Sequence, residues 1–278
     1  MKVNLAKSAG FCFGVKRALN IAFSTIKKGE SVEMLGDIVH NDDVVRKINS
    51  AGIKKIGMLR QGEDKTLLIR AHGASLKTIS RAKQLGYRVV DATCPMVKEI
   101  HEIAKRLEHE GRRVIIIGDK KHDEVLGIVG QLTGKAIVID PNIKIPIKAV
   151  KLVKKAGVVV QSTQNIEKIM RTVAVLKEHI RDLRFYNTIC RPTRVKQGEI
   201  RELPLQNDII IVIGSRSSAN TKRLYEISLS LNPRTYWIQS KKDIDPGWFN
   251  GVHSVGVTAG ASTPDEVTRD IAEHIKEM

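Results

Sequence analysis

The chain has 278 residues, 42% of them hydrophobic, which is enough apolar sequence to form a sizeable core in roughly two domains. Lysine and arginine outnumber aspartate and glutamate by 47 to 30, giving a formal net charge of +17. The basic residues are scattered or paired, and aromatic residues make up only 4%. These totals argue against a protein that stacks nucleic-acid bases and favour a solvated basic surface, which attracts anionic substrates or an acidic protein partner.

The sequence has no apolar signal segment at its start, and its longest apolar runs fall far short of the ~20 residues that cross a bilayer. We therefore expect a soluble cytoplasmic protein with neither nucleic acid nor membrane among its partners.

Short apolar runs alternate with helical periodicity along nearly the whole chain, which predicts stacked βα units with mainly parallel sheets. Apolar stripes predict one helix over 15–26 that ends at Gly29, one over 96–107 that ends at Gly111, and one over 166–176. The predicted strands cover residues 66–70, 88–91, 113–117, 136–140, 157–161, 184–186, 208–213, 234–238 and 254–258.

The polar residues suited to chemistry follow a predicted strand and precede a helix. Open α/β sheets bind their ligands at this carboxyl edge of the strands. Each third of the chain supplies one cysteine loop and at least two other polar loops, which predicts three pseudo-equivalent α/β modules around a shared centre. The expected boundaries are 1–94, 95–190 and 191–278, with residues 1–12 a candidate for packing with the third module.

The chain contains three widely spaced cysteines, Cys12, Cys94 and Cys190. Their odd number and spacing argue against a disulfide framework. Gly10 and Gly14 bracket the first, where they let the backbone bend sharply around a bulky ligand. Pro95 is a favoured first helical residue, so the second cysteine precedes a helix N-terminus that favours its thiolate form. The spacing therefore favours three thiolates gathered around a cation.

A zinc site would want a fourth ligand and usually takes its cysteines in close pairs, which this sequence lacks. An iron–sulfur cluster fits better, because its cubane is wide enough to be held from three separate modules. Three protein thiolates on a four-iron cluster leave one iron open, and that iron could act as a Lewis acid on a substrate oxygen.

The motifs occur in a defined order along the chain: AGFCFGVKRA, VHN, RAHG, DATCP, GDKKHDEVLG, QST, NTIC, GSRSSANTKRL and TAGASTP. Together they resemble the LytB-type family of 4-hydroxy-3-methylbut-2-enyl diphosphate reductases. The resemblance implies three α/β domains enclosing one 4Fe–4S cluster with three cysteine ligands and one open iron. It also implies the last step of the non-mevalonate isoprenoid route, a two-electron reductive removal of a hydroxyl that gives isopentenyl and dimethylallyl diphosphates.

The resemblance also assigns roles. It implies Cys12, Cys94 and Cys190 as cluster ligands, Glu124 as the acid that delivers a proton, and Thr163 as its hydroxyl partner, with His122 in the proton network. The residues that it implies for substrate binding are His40, His72, His122, Thr163, Ser218, Ala219, Asn220 and Ser262. A ferredoxin or flavodoxin is the expected electron donor, and a monomer or weak homodimer the expected assembly.

One departure from the family lies in the phosphate loop. The family commonly has Asn-Ser-Ser-Asn where this chain has Ser217, Ser218, Ala219 and Asn220. Ala219 lacks a hydroxyl, so one donor to the diphosphate is missing or is replaced by a backbone N–H. We expect function to survive this change. Pro192 after the third cysteine is a lesser departure with no clear consequence.

Each assigned residue also has a structural interpretation. A single histidine between strand and helix is more often structural, but three in equivalent loops favour an anionic ligand. Glu124 alone would be taken as an acid in the first turn of a helix. Ser, Thr and Asn are preferred helix caps, and Thr263 to Glu266 spells a capping box. This predicts Thr263 as the cap and leaves Ser262 free to face a ligand.

Two rival functions remain at this point. Quinolinate synthase is another three-cysteine cluster enzyme of modular build, although its motifs do not match these loops. The rival from a different class is a basic nucleic-acid-binding protein. It predicts a colourless preparation whose binding to DNA or RNA weakens steeply with salt.

Overall fold

A computed structural model of the chain describes residues 1–26 and 31–278. The predicted helix end at Gly29 lies outside the described residues. The strands are β1 (Lys2–Leu5), β2 (Ser31–Leu35), β3 (Ile53–Ile56), β4 (Lys65–Ile69), β5 (Arg88–Asp91), β6 (Arg113–Ile117), β7 (Ile137–Ile139), β8 (Lys155–Val160), β9 (Asp182–Phe185), β10 (Ile209–Ile213), β11 (Thr235–Ile238) and β12 (Ser254–Ala259). The α-helices are α1 (Phe13–Ile26), α2 (Asp42–Ser50), α3 (Leu76–Gln84), α4 (Pro95–His109), α5 (Asp123–Val129), α6 (Ile147–Lys151), α7 (Ile166–His179), α8 (Arg191–Glu202), α9 (Ala219–Leu231) and α10 (Asp265–Glu277).

The strands form three four-stranded sheets, with orders β1-β12-β10-β11, β3-β2-β4-β5 and β7-β6-β8-β9. Every strand pair in them is parallel. Parallel strands need crossover connections, and the helices between them cover the sheet faces. The predicted fold class, three α/β units with parallel sheets, is confirmed.

By contact density the chain divides into two compact units. The first compact unit comprises 1–16, 39–46 and 190–278, and the second comprises 17–38 and 47–189. The first unit contains the sheet β1-β12-β10-β11, in which the N-terminal strand pairs with β12. The second unit contains the other two sheets. The module boundaries expected from the sequence stay predictions.

Strand β10 illustrates why these apolar runs form central strands. All five of its residues are buried β-branched side chains, which pack well on a pleated surface covered on both faces. The nine predicted strands are all present, with ends displaced by at most two residues. Strands β1, β2 and β3 had not been predicted. The first is only four residues long, a glutamate interrupts the second and two lysines interrupt the third.

Glu33 is tolerated inside β2 because its carboxylate is paired. The Tyr87 hydroxyl donates to it at 2.5 Å, and the Lys65 ammonium lies at 3.1 Å. Burial opposes ionisation, yet these two donors together hold the pKa of Glu33 below its ordinary value.

Among the described residues, no helix combines the length and apolarity that crossing a membrane requires.

Candidate active site

In the first compact unit, the loop that carries Cys12 is fixed to the start of α10. The N–H of Phe11 donates to Asp265 Oδ1 at 2.9 Å, and Lys16 Nζ contacts Asp265 Oδ2 at 2.7 Å. Burial disfavours the Asp265 carboxylate, but these two donors outweigh it and lower its pKa. Gly10 has a φ of +97°, and a Cβ there would lie 2.2 Å from Asp265 Oδ1. The positive φ and the close approach of Asp265 both favour glycine at this position, and the expected bulky ligand stays a prediction.

A buried lysine on α8 supports the same loop. Lys196 is 2% exposed, and its Nζ donates to the backbone carbonyls of Ser8, Gly10 and Ala259, the last two at 3.0 Å. Burial lowers the pKa of this amine to about 8, with the nearby charge of Cys12 acting in the opposite direction. The sequence analysis did not single out Lys196, because a lysine within a helical pattern usually faces solvent.

None of the three cysteines forms a disulfide with a described residue, and each is half-buried. Cys94 and Cys190 are the N-cap residues of α4 and α8, and neither side chain caps its helix. Cys12 directly precedes α1. The positive end of a helix favours the thiolate, which is the ligand form that iron–sulfur clusters need. The donor chemistry of these residues therefore fits an iron–sulfur cluster.

The loop after β10 brings a buried amide to the start of α9. Ser218 is the N-cap and accepts from the Thr221 N–H at 3.3 Å, while Ala219 is the first helical residue. Asn220 is 5% exposed, and neither its Oδ1 nor its Nδ2 has a hydrogen-bond partner among the described residues. A buried amide left unpaired is costly, so Asn220 is suited to an external polar ligand.

The loop after β12 packs closely on the same helix. A Cβ at Gly214 would lie 2.6 Å from Thr221 Oγ1, and one at Gly260 only 2.0 Å from it. The two strand ends therefore approach α9 in a way that only glycine permits. Ser262 donates its hydroxyl to the His40 carbonyl at 3.1 Å, which ties the predicted residue His40 to this loop.

The prediction that Thr263 caps α10 is wrong. Pro264 occupies the N-cap position without a side-chain cap, and the Thr263 hydroxyl instead donates to the carbonyl of Ile213 at 3.2 Å. The carbonyl at the end of β10 competes for the hydroxyl, which local sequence spacing does not reveal.

In the second compact unit, two predicted histidines lie side by side. The rings of His72 and His122 are 5.4 Å apart between centroids and nearly perpendicular. His122 is also the N-cap of α5, where its Nδ1 accepts from the N–H of Glu124 at 3.1 Å. Because Nδ1 is an acceptor, a proton on the neutral ring resides on Nε2, which can donate to another group.

Glu124 is a buried acid, 2% exposed, at the start of α5. Its carboxylate accepts from the Ser162 N–H at 2.6 Å and from the Ser162 hydroxyl at 2.8 Å. Burial raises the pKa of Glu124, and the two bonds from Ser162 oppose that rise. An acid in this environment can hold a proton closer to neutral pH than an exposed glutamate.

The hydroxyl that contacts Glu124 belongs to Ser162, a residue that the sequence analysis did not identify. Thr163, predicted as the hydroxyl partner, accepts from Gln161 Nε2 at 3.1 Å. The Gln161 amide oxygen in turn accepts from the Asp119 N–H at 2.8 Å. The QST motif therefore supplies one residue that holds Glu124 and another that ends in a separate network.

His101 is a further residue that sequence reasoning left aside. It lies on α4, is 7% exposed, and burial lowers its pKa to about 4, so it is neutral at physiological pH. A Cβ at Gly73 would lie 2.8 Å from His101 Cε1, and Gly73 has a φ of +80°. The glycine of the RAHG motif therefore lets the His72 loop pack against this ring.

Parallel α/β units, cysteines at helix starts, a buried acid and an unpaired amide at a glycine-rich loop together fit an enzyme of the α/β class. The comparisons with known proteins specify the class further.

The sequence profile of the family described as LytB protein matches residues 3–276. The 4-hydroxy-3-methylbut-2-enyl diphosphate reductase of Geotalea daltonii is 42% identical over 280 residues, covering 100% of this chain and 98% of the relative. The same enzyme of Aquifex aeolicus is 38% identical, covering 99% and 96%. The chain belongs to the LytB family.

Solved structures agree. One of (E)-4-hydroxy-3-methyl-but-2-enyl diphosphate reductase, described as the terminal enzyme of the non-mevalonate pathway, matches with a TM-score of 0.75 and 37% identity over the whole of both chains. A reductase structure from Plasmodium falciparum has a TM-score of 0.90 at 26% identity, covering 99% of this chain and 88% of that one.

Proposed function

We propose that this chain is an iron–sulfur oxidoreductase that reduces 4-hydroxy-3-methylbut-2-enyl diphosphate, the last step of the non-mevalonate isoprenoid pathway. The observation that carries the proposal is the family match over residues 3–276. The relatives that match over nearly their whole length bear the name of this reductase. We also propose a ferredoxin or flavodoxin as electron donor, and a cytoplasmic monomer or weak homodimer.

The reaction consumes two electrons and two protons for each substrate. The allylic C–O bond breaks, one proton converts the leaving hydroxide to water, and the other forms a C–H bond. Protonation at either end of the allyl anion gives isopentenyl or dimethylallyl diphosphate. Hydroxide is a poor leaving group until it is protonated, so the protein must supply a positioned acid.

Cys12, Cys94 and Cys190 would hold one 4Fe–4S cluster with one open iron. Their half-buried positions at helix starts, outside any disulfide with a described residue, support this role. When bound, such a cluster would supply electrons one at a time and a Lewis-acidic iron for the substrate hydroxyl. Asp265 and Lys196 hold the Cys12 loop, so this ligand is presented from a fixed backbone.

The proposed diphosphate-binding residues are Asn220, Ser218, Ser262, the backbone at Ala219, His40, His72 and His122. The buried, unpaired amide of Asn220 supports this assignment. The first N–H groups of α9 point out of the helix start and suit a phosphate oxygen, which compensates for the hydroxyl that Ala219 lacks. We expect N220A to raise the KM for substrate at least about tenfold, because the diphosphate loses the polar contact that this amide supplies.

The exposed asparagine Asn20 provides the matched control for N220A, since N20A removes the same amide from the surface. Iron content and melting temperature are measured on both variants. An unchanged KM in N220A would remove Asn220 from the diphosphate site.

Glu124 is the proton donor to the leaving hydroxyl, with His122 beside it. Thr163 is a further proposed member of the proton network, although its hydroxyl accepts from Gln161 and the Glu124 carboxylate is bonded to Ser162. The buried carboxyl, its raised pKa and its bonds to Ser162 support the role of Glu124. The Nδ1 of His122 accepts from the Glu124 N–H, which places this ring next to the proposed proton donor.

Anaerobically purified protein, reduced with dithionite and methyl viologen, tests the function directly. We expect consumption of the allylic diphosphate and formation of both five-carbon diphosphates, followed by mass spectrometry. Quinolinate formation from iminoaspartate and dihydroxyacetone phosphate serves as the negative control. A brown, iron-loaded protein that leaves the allylic diphosphate unchanged would contradict the proposal.

A further inference from the structure

Exposed apolar and basic residues lie close in the chain to both cysteines of the first compact unit. Phe13, directly after Cys12, is 67% exposed, and Val195 on α8 is 45% exposed. Lys7, Arg191 and Arg194 are exposed as well. We call these five residues the Phe13 patch. A large aromatic side chain left in solvent is unusual for a core-forming residue and is characteristic of interaction surfaces.

Contacts between the N-terminal loop and α8 place the two halves of the patch together. The Ser8 N–H donates to Glu199 Oε2 at 3.0 Å, and Lys196 Nζ donates to the Gly10 carbonyl at 3.0 Å. Val195 lies one helical turn before Glu199 on the same side of α8. The exposed stripe of the helix therefore borders the loop that continues into Cys12 and Phe13.

The patch is rich in basic residues, and the one acid beside it on α8 is Glu199, which accepts from the Ser8 N–H. Residues 1–29 and 183–198 contain no aspartate or glutamate. Lys16 is paired with Asp265, but Lys7, Arg191 and Arg194 make no ion pair with any described residue. An aromatic and an aliphatic side chain surrounded by free basic groups suit a transient complex with an acidic protein.

We propose that the Phe13 patch is the docking surface for a small acidic electron-carrier protein. This inference rests on the proposed function, which requires two electrons delivered singly. A carrier on the patch sits beside the backbone of Cys12 and the first turn of α8, whose N-cap residue is Cys190. Each docking event oxidises one reduced carrier and passes one electron to this chain, and two such events complete one turnover. The basic groups set the association rate and its salt dependence, and Phe13 supplies the apolar contact.

The test compares two sources of electrons on the iron-loaded enzyme. Reduced methyl viologen needs no protein docking, whereas a [2Fe–2S] ferredoxin reduced by NADPH and its reductase does. The patch variants are K7E/R194E and F13S. The matched control is K2E/K276E, which has the same change in charge but reverses one residue at the amino end of β1 and one in the last turn of α10.

For K7E/R194E we expect the KM for ferredoxin to rise at least about tenfold at low salt, because opposite charges no longer steer the encounter. F13S should raise it less and leave its salt dependence intact. Viologen-driven turnover, iron content and the control variant should stay at wild-type values. The Kd of ferredoxin, measured by interferometry, should rise in parallel with the KM.

If both patch variants kept the wild-type values of the KM and Kd for ferredoxin, the proposed docking surface would be overturned. An equal loss in K7E/R194E and K2E/K276E would also overturn it, since net charge alone would then explain the effect. Loss of single-stranded RNA binding without loss of ferredoxin-driven turnover would assign the patch to a nucleic acid instead. If wild-type protein fails with viologen as well, the proposed function fails, which is a distinct result.

Discussion

Glu124 and Lys196 are both 2% exposed ionisable side chains, yet the protein treats them in different ways. The Glu124 carboxylate meets one residue, Ser162, whose two donors only partly offset the burial that raises its pKa. The Lys196 ammonium meets three backbone carbonyls, and burial still lowers its pKa, to about 8. Burial disfavours the charged form of both groups, and what differs is the bonding: three backbone carbonyls let Lys196 fix a loop, whereas both donors to Glu124 come from one residue. The comparison separates a chemical role from a positioning role.

The largest effect is expected for E124Q. The amide keeps the shape and the bond from Ser162 but cannot release a proton, so kcat should fall by ~10²–10⁴. Iron content, melting temperature and substrate binding should stay near wild type, because the side chain volume is preserved. Single-turnover assays with viologen measure the loss. Near-normal turnover would remove Glu124 from the proton pathway.

Replacement of Lys196 should act on stability and loop geometry. K196M leaves the carbonyls of Ser8, Gly10 and Ala259 without their donor, so the free energy of unfolding should fall by about 2–4 kcal/mol. Iron should be lost faster to a chelator, since the Cys12 loop is released. K196R, which keeps the charge and several donors, is the matched comparison. Equal stability of K196M and wild type would show that the three bonds contribute little.

The lowered pKa of Lys196 also predicts how the free energy of unfolding changes with pH. The pKa of Lys196 is about 8 in the folded chain against 10.5 for the free side chain, so between these values the unfolded state binds more protons. The unfolding free energy of wild type should therefore rise with pH across this window by about 2–3 kcal/mol relative to K196M. Urea unfolding of both apo-proteins between pH 8 and 10.5 measures it. Parallel curves would mean that this amine titrates normally.

A smaller effect is expected for S162A. Removing the hydroxyl takes away a donor that lowers the pKa of Glu124, so that pKa should rise further. The proton donor must be protonated to act, and the alkaline limb of the kcat/KM profile should therefore move to higher pH. The loss of activity at neutral pH should stay below about tenfold, the scale of one neutral hydrogen bond. A limb at the wild-type position would indicate that another group titrates there.

The fold could largely be predicted because the strands are runs of apolar β-branched residues. The run from Ile209 to Ile213 can be predicted as a buried strand from its own residues alone. Strand β2 escaped prediction because the residue that makes its glutamate tolerable, Tyr87, lies 54 positions away. Burial of a charged residue depends on such distant partners, which a local pattern does not contain.

The same distinction between local patterns and distant contacts applies to the candidate site. Cysteines before helix starts and a phosphate-type loop at Gly214 are local patterns, and the structure places them at helix N-termini. The contact between Glu124 and Ser162 spans 38 positions, and the one between Lys196 and Gly10 spans 186. The sequence analysis therefore identified Glu124 but neither its partner nor the residue that fixes the Cys12 loop.

The central claim is that three thiols, one from each third of the chain, are the ligands of one iron–sulfur cluster. The most direct test is to measure iron and acid-labile sulfide in anaerobically purified protein and to record its electronic spectrum. We predict a brown protein with about four iron and four sulfide per chain, and loss of that content in C12S, C94S and C190S alike. A colourless protein whose three thiols all react freely with a thiol reagent would contradict the account.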